Sequence, residues 1–179
     1  MKKLFDEIPR LENERIILRQ ITDEDADAMK EMSQSDIYQY EPTYLFERQY
    51  DDVHEMIRNL YGECFQSKQN LILGIYFKEK GELCGLAEFY DYNERLHHTS
   101  IGIRLRKEYW GNGIATETVK LMADYLFNQT DIEIITASTM SENKGSKHVL
   151  EKAGFLKTQS EVSENWGHQD PTIADRWFL

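Results

Sequence analysis

At 179 residues, with 40% hydrophobic and 30% charged side chains and only three prolines, the chain is expected to fold as one domain over 1–179 with a closed apolar core. Its 21 Lys plus Arg against 32 Asp plus Glu leave a formal charge of −11, which argues against nucleic acid and favours cationic partners such as amines. Asp6, Glu7 and Pro9 break up any signal-peptide core, no apolar run approaches a membrane span, and Cys64 and Cys84 are too few for a disulfide framework or zinc site, so a cytoplasmic protein without metal is expected.

ERIILRQI, 14–21, alternates and reads as a strand. Thr22 then caps an acidic helix through TDEDADAMKEM, with Asp23, Glu24 and Asp25 in the turn where the helix dipole favours anions. A longer helix is expected from Glu47 to Phe65, because Val53, Met56, Ile57, Leu60, Tyr61 and Cys64 recur at helical spacing. LILGIYFK (71–78) and LCGLAEFYDY (83–92) read as strands about a tight turn at Gly81, and TSIGIRLR (99–106) as a third. EYWGNGIATET follows and opens a helix to Asn128, with Ala115, Val119, Met122 and Leu126 as its buried stripe. IEIITASTM (132–140) is the next strand, and NKGSKHVLEKAGF (143–155) a short helix with Asn143 as N-cap and Gly154 as its stop. A polar stretch and ADRWFL close the chain, giving one or two final strands. The order predicts a mixed α/β sheet, mostly antiparallel, with one parallel pair from the strand–helix–strand unit after residue 99.

The chemistry concentrates at Gly111 and Gly113. A strand that runs through Gly-x-Gly into a helix N-terminus gathers unpaired backbone N–H groups, which with the helix dipole make an anion site suited to phosphate. The P-loop motif fails for want of a Lys after the last Gly. The dinucleotide fingerprint lacks its third Gly, where Thr116 stands, although Asp131 lies at a tolerable distance for a ribose contact. From the residues alone, a plain strand-to-helix turn and an NAD-type dinucleotide enzyme both stay open.

IGIRLRKEYWGNGIATETVKLMADYLF, the next strand, and NKGSKHVLEKAGF together resemble the GNAT superfamily of acetyl-CoA-dependent N-acetyltransferases, most closely the ribosomal-protein alanine acetyltransferase branch and its small-molecule relatives. The resemblance is strongest over about 97–156. Glu108 departs from the family's usual Gln or Arg at the head of the turn, while Gly111 and Gly113 match, and Trp110, Ala115, Thr116 and Glu117 fit the branch.

The resemblance implies a splayed strand pair with the pantetheine arm of acetyl-CoA between them, held by backbone groups of Ile103, Arg104 and Leu105. The pyrophosphate would rest on the N–H groups of Gly111, Asn112, Gly113, Ile114, Ala115 and Thr116, with Arg106 as counter-charge. Asn143 would contact the pantetheine. The family's usual tyrosine acid falls at Leu150, so Ser146, one turn earlier, becomes the candidate proton donor to the thiolate, against a bland hydrogen bond to a carbonyl one turn back.

Glu88 is the charge in an otherwise apolar strand segment. It is a candidate base whose pKa burial would raise, or a structural partner of Arg104. His97 and His98 are strand neighbours pointing to opposite faces and cannot share a metal. Tyr38, Tyr40, Tyr44 and Trp166 are candidates for the wall of an acceptor cleft. The function expected is acetyl transfer to a primary amine, a protein N-terminus or a small cation such as a polyamine, with a homodimer expected by analogy. A non-catalytic acyl-CoA-binding module is the alternative.

Overall fold

The computed structural model describes residues 1–179. Eight strands form one sheet: β1 (Leu11–Glu12), β2 (Ile16–Arg19), β3 (Asn70–Phe77), β4 (Glu82–Asn93), β5 (His98–Leu105), β6 (Ile134–Met140), β7 (Leu156–Glu164) and β8 (Thr172–Phe178). Their spatial order is β1-β2-β3-β4-β5-β6-β8-β7. Every neighbouring pair is antiparallel except β5 and β6, which are parallel as the crossover requires. The helices are α1 (Ala26–Ser33), α2 (Val53–Asn59), α3 (Ile114–Gln129) and α4 (Lys144–Lys152).

Strand alternation sorts the side chains into two layers. Leu71, Phe89 and Ile101 stand in one cross-strand row and Leu73, Ala87 and Ile103 in the next. With Ile135, Ala137 and Trp177 they pack against Val119, Met122 and Leu126 of α3 and Leu150 of α4. The opposite face carries Ile72 and Leu86, covered by Met29 and Met32 of α1 and Met56, Ile57 and Leu60 of α2. On that second face the rows carry polar residues: Ile72–Glu88–Gly102, Leu86–Arg104 and Asn70–Tyr90–Ser100.

Three segments differ from the sequence reading. The first turn after Thr22 is a tight 3-10 turn over Asp23–Asp25. Asp25 is buried, and its Oδ2 accepts from the Thr22 N–H and the Tyr76 hydroxyl, both at 2.8 Å. The long helix begins at Val53 instead of Glu47, because Asp52 caps it, accepting from the His54 N–H at 2.9 Å. Its last turn widens to a π turn over Leu60–Cys64. The polar stretch after Phe155 is a nine-residue edge strand, β7, exposed along most of its length and paired only to β8.

Asp175 of β8 ties this edge to α4. Its carboxylate lies 2.8 Å from Lys147 Nζ and accepts from the Ser141 hydroxyl at 2.9 Å and the Glu161 N–H at 3.0 Å. The Lys147 bond, opposed by burial and helped by the other two donors, holds its carboxyl below the ordinary 3.8. A depressed folded value stabilises the protein fully above the unfolded value, and the contribution is lost as pH falls below 3.8 toward the folded value. Asp175→Asn is expected to lower stability by about 1 kcal/mol at neutral pH and to flatten the acid limb of the stability profile. Denaturant unfolding of both proteins between about pH 2 and 7 checks this, and an unchanged acid limb in the variant contradicts it.

Candidate active site

β5 and β6 pair over only three positions, His98–Ile134, Thr99–Ile135 and Ser100–Thr136. Beyond Ser100, β5 runs on to Leu105 and β6 to Met140 without pairing, so the sheet opens into a slot. Backbone direction along β5 follows from its hydrogen bonds. The Arg106 N–H bonds to Cys84 on the β4 side, whereas the His97 carbonyl accepts from Ile134 on the β6 side. By alternation the N–H and C=O groups of Ile101, Ile103 and Leu105 face the slot. The Leu105 carbonyl already takes the Trp110 indole N–H at 2.7 Å. Arg104 has the other parity, so its backbone faces β4 and away from the slot, and its side chain lies on the polar sheet face against Glu88.

At the end of β5 the chain turns through Gly111, φ 75°, and Gly113, φ 80°, before α3 begins at Ile114. Both glycines occupy the left-handed region, which a β-branched side chain enters only with strain. The helical ladder starts with the Glu117 N–H to the Gly113 carbonyl at 3.0 Å, so the N–H groups of Ile114, Ala115 and Thr116 have no acceptor within the helix. Arg15 lies across this turn, ion-paired with Glu117 and donating to the Asn112 carbonyl at 3.0 Å. Sequence reasoning assigned the counter-charge to Arg106. Its guanidinium instead lies 2.8 Å from Glu108 and 3.3 Å from Glu31.

Asn143 caps α4, its Oδ1 accepting from the Ser146 N–H at 3.1 Å. Its Nδ2 donates to the Ser146 hydroxyl at 3.0 Å. Ser146 Oγ is therefore engaged as an acceptor, and its own proton stays free to be donated. The expected alternative, a carbonyl one turn back, is not its partner.

The slot opens on the polar sheet face into a cavity of about 1100 Å³. Gly102, Ile103, Ser146 and Leu150 line it, as do Glu41, Glu88, Tyr90 and Glu164. Tyr40, Tyr44 and Trp166 also line it, as expected from the sequence, while Tyr38 does not. Tyr38 lies behind, buried, with Arg48 stacked 4.7 Å from its ring centroid. Two loops are stitched together to form the aromatic rim, the Thr43 N–H bonding to the Trp166 carbonyl at 2.8 Å. Gly167 permits this approach: a Cβ there would stand 2.1 Å from Thr43 Oγ1.

Glu88 meets the partner considered for it. Its Oε2 accepts from Arg104 Nη1 at 3.0 Å, and its Oε1 from Asn70 Nδ2 at 2.6 Å. Arg104 also lies 2.5 Å from Glu47 and 4.0 Å from Glu41, two carboxylates that sequence reasoning did not place here. Burial alone would make Arg104 easier to deprotonate, but Glu47, Glu88 and Glu41 together push its pKa up. His98 lies at the vertex of the slot, its Nε2 2.8 Å from Thr136 Oγ1, which is in turn 2.8 Å from Ser100 Oγ.

A sheet parted at one parallel pair, a glycine turn at the head of a helix and an asparagine that caps α4 beside the slot make up the candidate site. The acetyltransferase (GNAT) domain model matches residues 15–156, and the chain belongs to that family. An uncharacterized N-acetyltransferase of Bacillus subtilis, YoaA, is 31% identical over 152 residues, covering 83% of this chain and 84% of that protein. Among solved structures, Mycobacterium smegmatis RimJ in complex with CoA-disulfide superposes with a TM-score of 0.79 at 20% identity, covering 100% of this chain and 90% of that one. Spermidine N-acetyltransferase from Vibrio cholerae, in complex with CoA and spermine, does so with a TM-score of 0.75 at 20% identity, covering 93% and 96%. The protein is an acetyl-CoA-dependent N-acetyltransferase, and no helix in it is long and apolar enough to cross a membrane.

Gly113→Val is expected to weaken CoA binding at least about tenfold while costing about 1–3 kcal/mol of stability at a left-handed position. Calorimetric titration with CoA, alongside circular dichroism, is the check. Wild-type affinity in a well-folded variant would remove the turn from the binding site.

Proposed function

We propose that the enzyme transfers acetyl from acetyl-CoA to a primary amine carried by a small cationic molecule, a polyamine being the best match. The observation that supports this most is the chemistry of the cavity wall. Glu41, Glu88, Asp91 and Glu164 stand among Tyr40, Tyr44, Tyr90 and Trp166. Carboxylates attract ammonium groups, and aromatic faces take methylene chains and cations alike. The overall charge of −11 favours the same class of partner. The Vibrio spermidine enzyme shares the fold.

A protein N-terminal amine is the second reading. The cavity exceeds the size usual for small-ligand sites, and the fold is also that of RimJ.

The residues fit the cosubstrate. The slot-facing backbone of Ile101, Ile103 and Leu105 suits an extended amide-bearing arm, and one of these N–H groups can take the charge that develops on the acetyl oxygen. The free N–H groups at Gly113 to Thr116 suit a pyrophosphate, with Arg15 a closer cation than Arg106. Acetyl-CoA supplies an activated acyl group when bound. The chain supplies alignment of amine and carbonyl, which accounts for much of the rate. Ser146, oriented by Asn143, donates a proton toward the leaving sulfur. Glu88, the carboxylate singled out from sequence, belongs to the cluster that receives the ammonium.

An amine panel read by release of free thiol tests the assignment, with polyamines, aminoglycosides and peptides of varied N-terminus. Polyamines are expected to give the highest kcat/KM. Turnover confined to peptide N-termini would replace the first reading with the second. Ser146→Ala is expected to lower kcat about a hundredfold at unchanged acetyl-CoA affinity, and an unaltered kcat would remove Ser146 from the chemistry.

A further inference from the structure

Arg104 sits among three glutamates from three different segments: Glu88 on β4, Glu47 in the short turn Phe46–Arg48, and Glu41 in the loop before it. The arginine and Glu47 side chains are each 1% exposed. One guanidinium against three ionised carboxylates leaves two negative charges in excess. Inside a protein such an excess is costly and is relieved by a proton or by a cation that enters.

The three carboxylates differ in what they have left to offer. Glu88 uses both oxygens, one on Asn70 and one on Arg104. Glu47 lies against Arg104 and does not line the main cavity. Glu41 lines the cavity beside Glu88 and Gly102, with its side chain 23% exposed. Its carboxylate accepts no hydrogen bond from the protein, and Arg104 is 4.0 Å away, too far for a direct bond.

The Glu41 backbone is nonetheless held. Its N–H bonds to the Tyr38 carbonyl at 3.2 Å, its carbonyl lies 3.2 Å from His168 Nε2, and Pro42 restricts its torsions. The other acids of the cavity are engaged or peripheral. Glu164 is bound by Trp166 Nε1 at 2.8 Å and Arg176 Nε at 2.6 Å, and Asp91 is exposed. The groups facing Glu41 are Arg104 of β5, Glu88 and Tyr90 of β4, Glu47, and Tyr38.

We infer that Glu41 is the proton acceptor of the transfer, taking a proton from the acceptor's ammonium group while Glu88 and Glu47 hold Arg104 beneath it. This rests on the proposed transfer to a cationic amine and assigns the base within it. The ammonium nitrogen gives one proton to Glu41, and the lone pair so released forms the C–N bond to the acetyl carbon. The C–S bond breaks with its electron pair on sulfur. The nitrogen's second transferable proton passes to Ser146 Oγ, replacing the one that Ser146 delivers to that sulfur. Products are the amide and the thiol, and the proton on Glu41 leaves to solvent.

Burial pushes the Glu41 carboxyl up to about 8, with Glu88 and Glu47 adding to the rise and Arg104 opposing it. A carboxylate so tuned is a stronger base toward an ammonium than an ordinary glutamate and is still partly ionised near neutral pH.

The experiment has two arms. Carboxyl-labelled glutamate NMR, assigned by comparison with Glu41→Gln, is expected to show a group titrating near 8 in the free enzyme. The pH profile of kcat/KM with a polyamine is expected to rise through the same value. In Glu41→Gln, which removes one charge from an over-acidic cluster and should fold, kcat/KM is expected to fall about 10²–10⁴-fold and that limb to vanish, with CoA affinity unchanged. If the wild type acetylates amines but Glu41→Gln keeps its rate and its limb, the base is elsewhere and the function stands. If Glu41 titrates in the ordinary glutamate range, the assignment is likewise overturned. If it titrates near 8 yet no amine in the panel is acetylated, the amine-acceptor reading fails and the proton-acceptor role with it.

Discussion

The parting of β5 from β6 after Ser100 and Thr136 is the constraint on which the rest of the site depends. A parallel pair closed to its end would satisfy its own backbone groups and leave nothing for a ligand. Here β5 is held from outside by β4 through Leu105, and β6 by β8 through Met140. Each strand is anchored on its far side, so the gap does not close. Trp177, buried under α4 and bonded through Nε1 to Thr139 Oγ1 at 2.9 Å, fixes the β6 side, while the Trp110 indole caps the Leu105 carbonyl on the other. Slot-facing N–H and C=O groups are left seeking partners, and an extended amide-bearing arm supplies them in the manner of an added strand.

The slot also joins two chemically different layers. On the α3 and α4 side the sheet is aliphatic and aromatic, and its burial supplies most of the hydrophobic stabilisation. On the α1 and α2 side the same strands carry Glu88, Tyr90, Ser100 and Arg104. Burying Arg104 with three acids is poor value for stability, because desolvation offsets the attraction within the pairs. Glu41 and Glu47 are both pushed up by that burial, so the cluster is held short of positive charge. An entering ammonium meets a site already arranged to receive it. Glu164, with Arg176 and Trp166, makes a second acidic pole that is internally neutralised.

Much of this was legible in the sequence. Residue alternation in 99–106 and 132–140, and helical spacing in 114–128, placed the strands and the aliphatic layer, and the family resemblance implied the slot between the strands. Gly-x-Gly before a helix marked the turn, and Asn143 with Ser146 marked the head of α4. Glu88 stood out as a charge in an apolar run, and Arg104 was legible as its partner. Three things were not legible, each for a physical reason. β7 is polar on both faces because it is an edge strand exposed to solvent, so it carries no alternation. Glu41 and Glu47 lie in irregular chain, where orientation is set by tertiary contact and by no period. Arg15 reaches the glycine turn from 97 residues earlier in the chain, a tertiary contact that no local pattern announces. Glu41 did leave a faint trace, an acid fixed by Pro42 between Tyr40 and Tyr44.

Amide hydrogen exchange resolved to single residues, with and without CoA, tests most directly that the open slot and the glycine turn are what hold the cosubstrate. New protection on binding is expected at Ile101, Ile103 and Leu105, and at Gly113 through Thr116. Arg104, whose amide already bonds to β4, should change little. Unchanged exchange at Ile103, Leu105 and the turn under saturating CoA would contradict it.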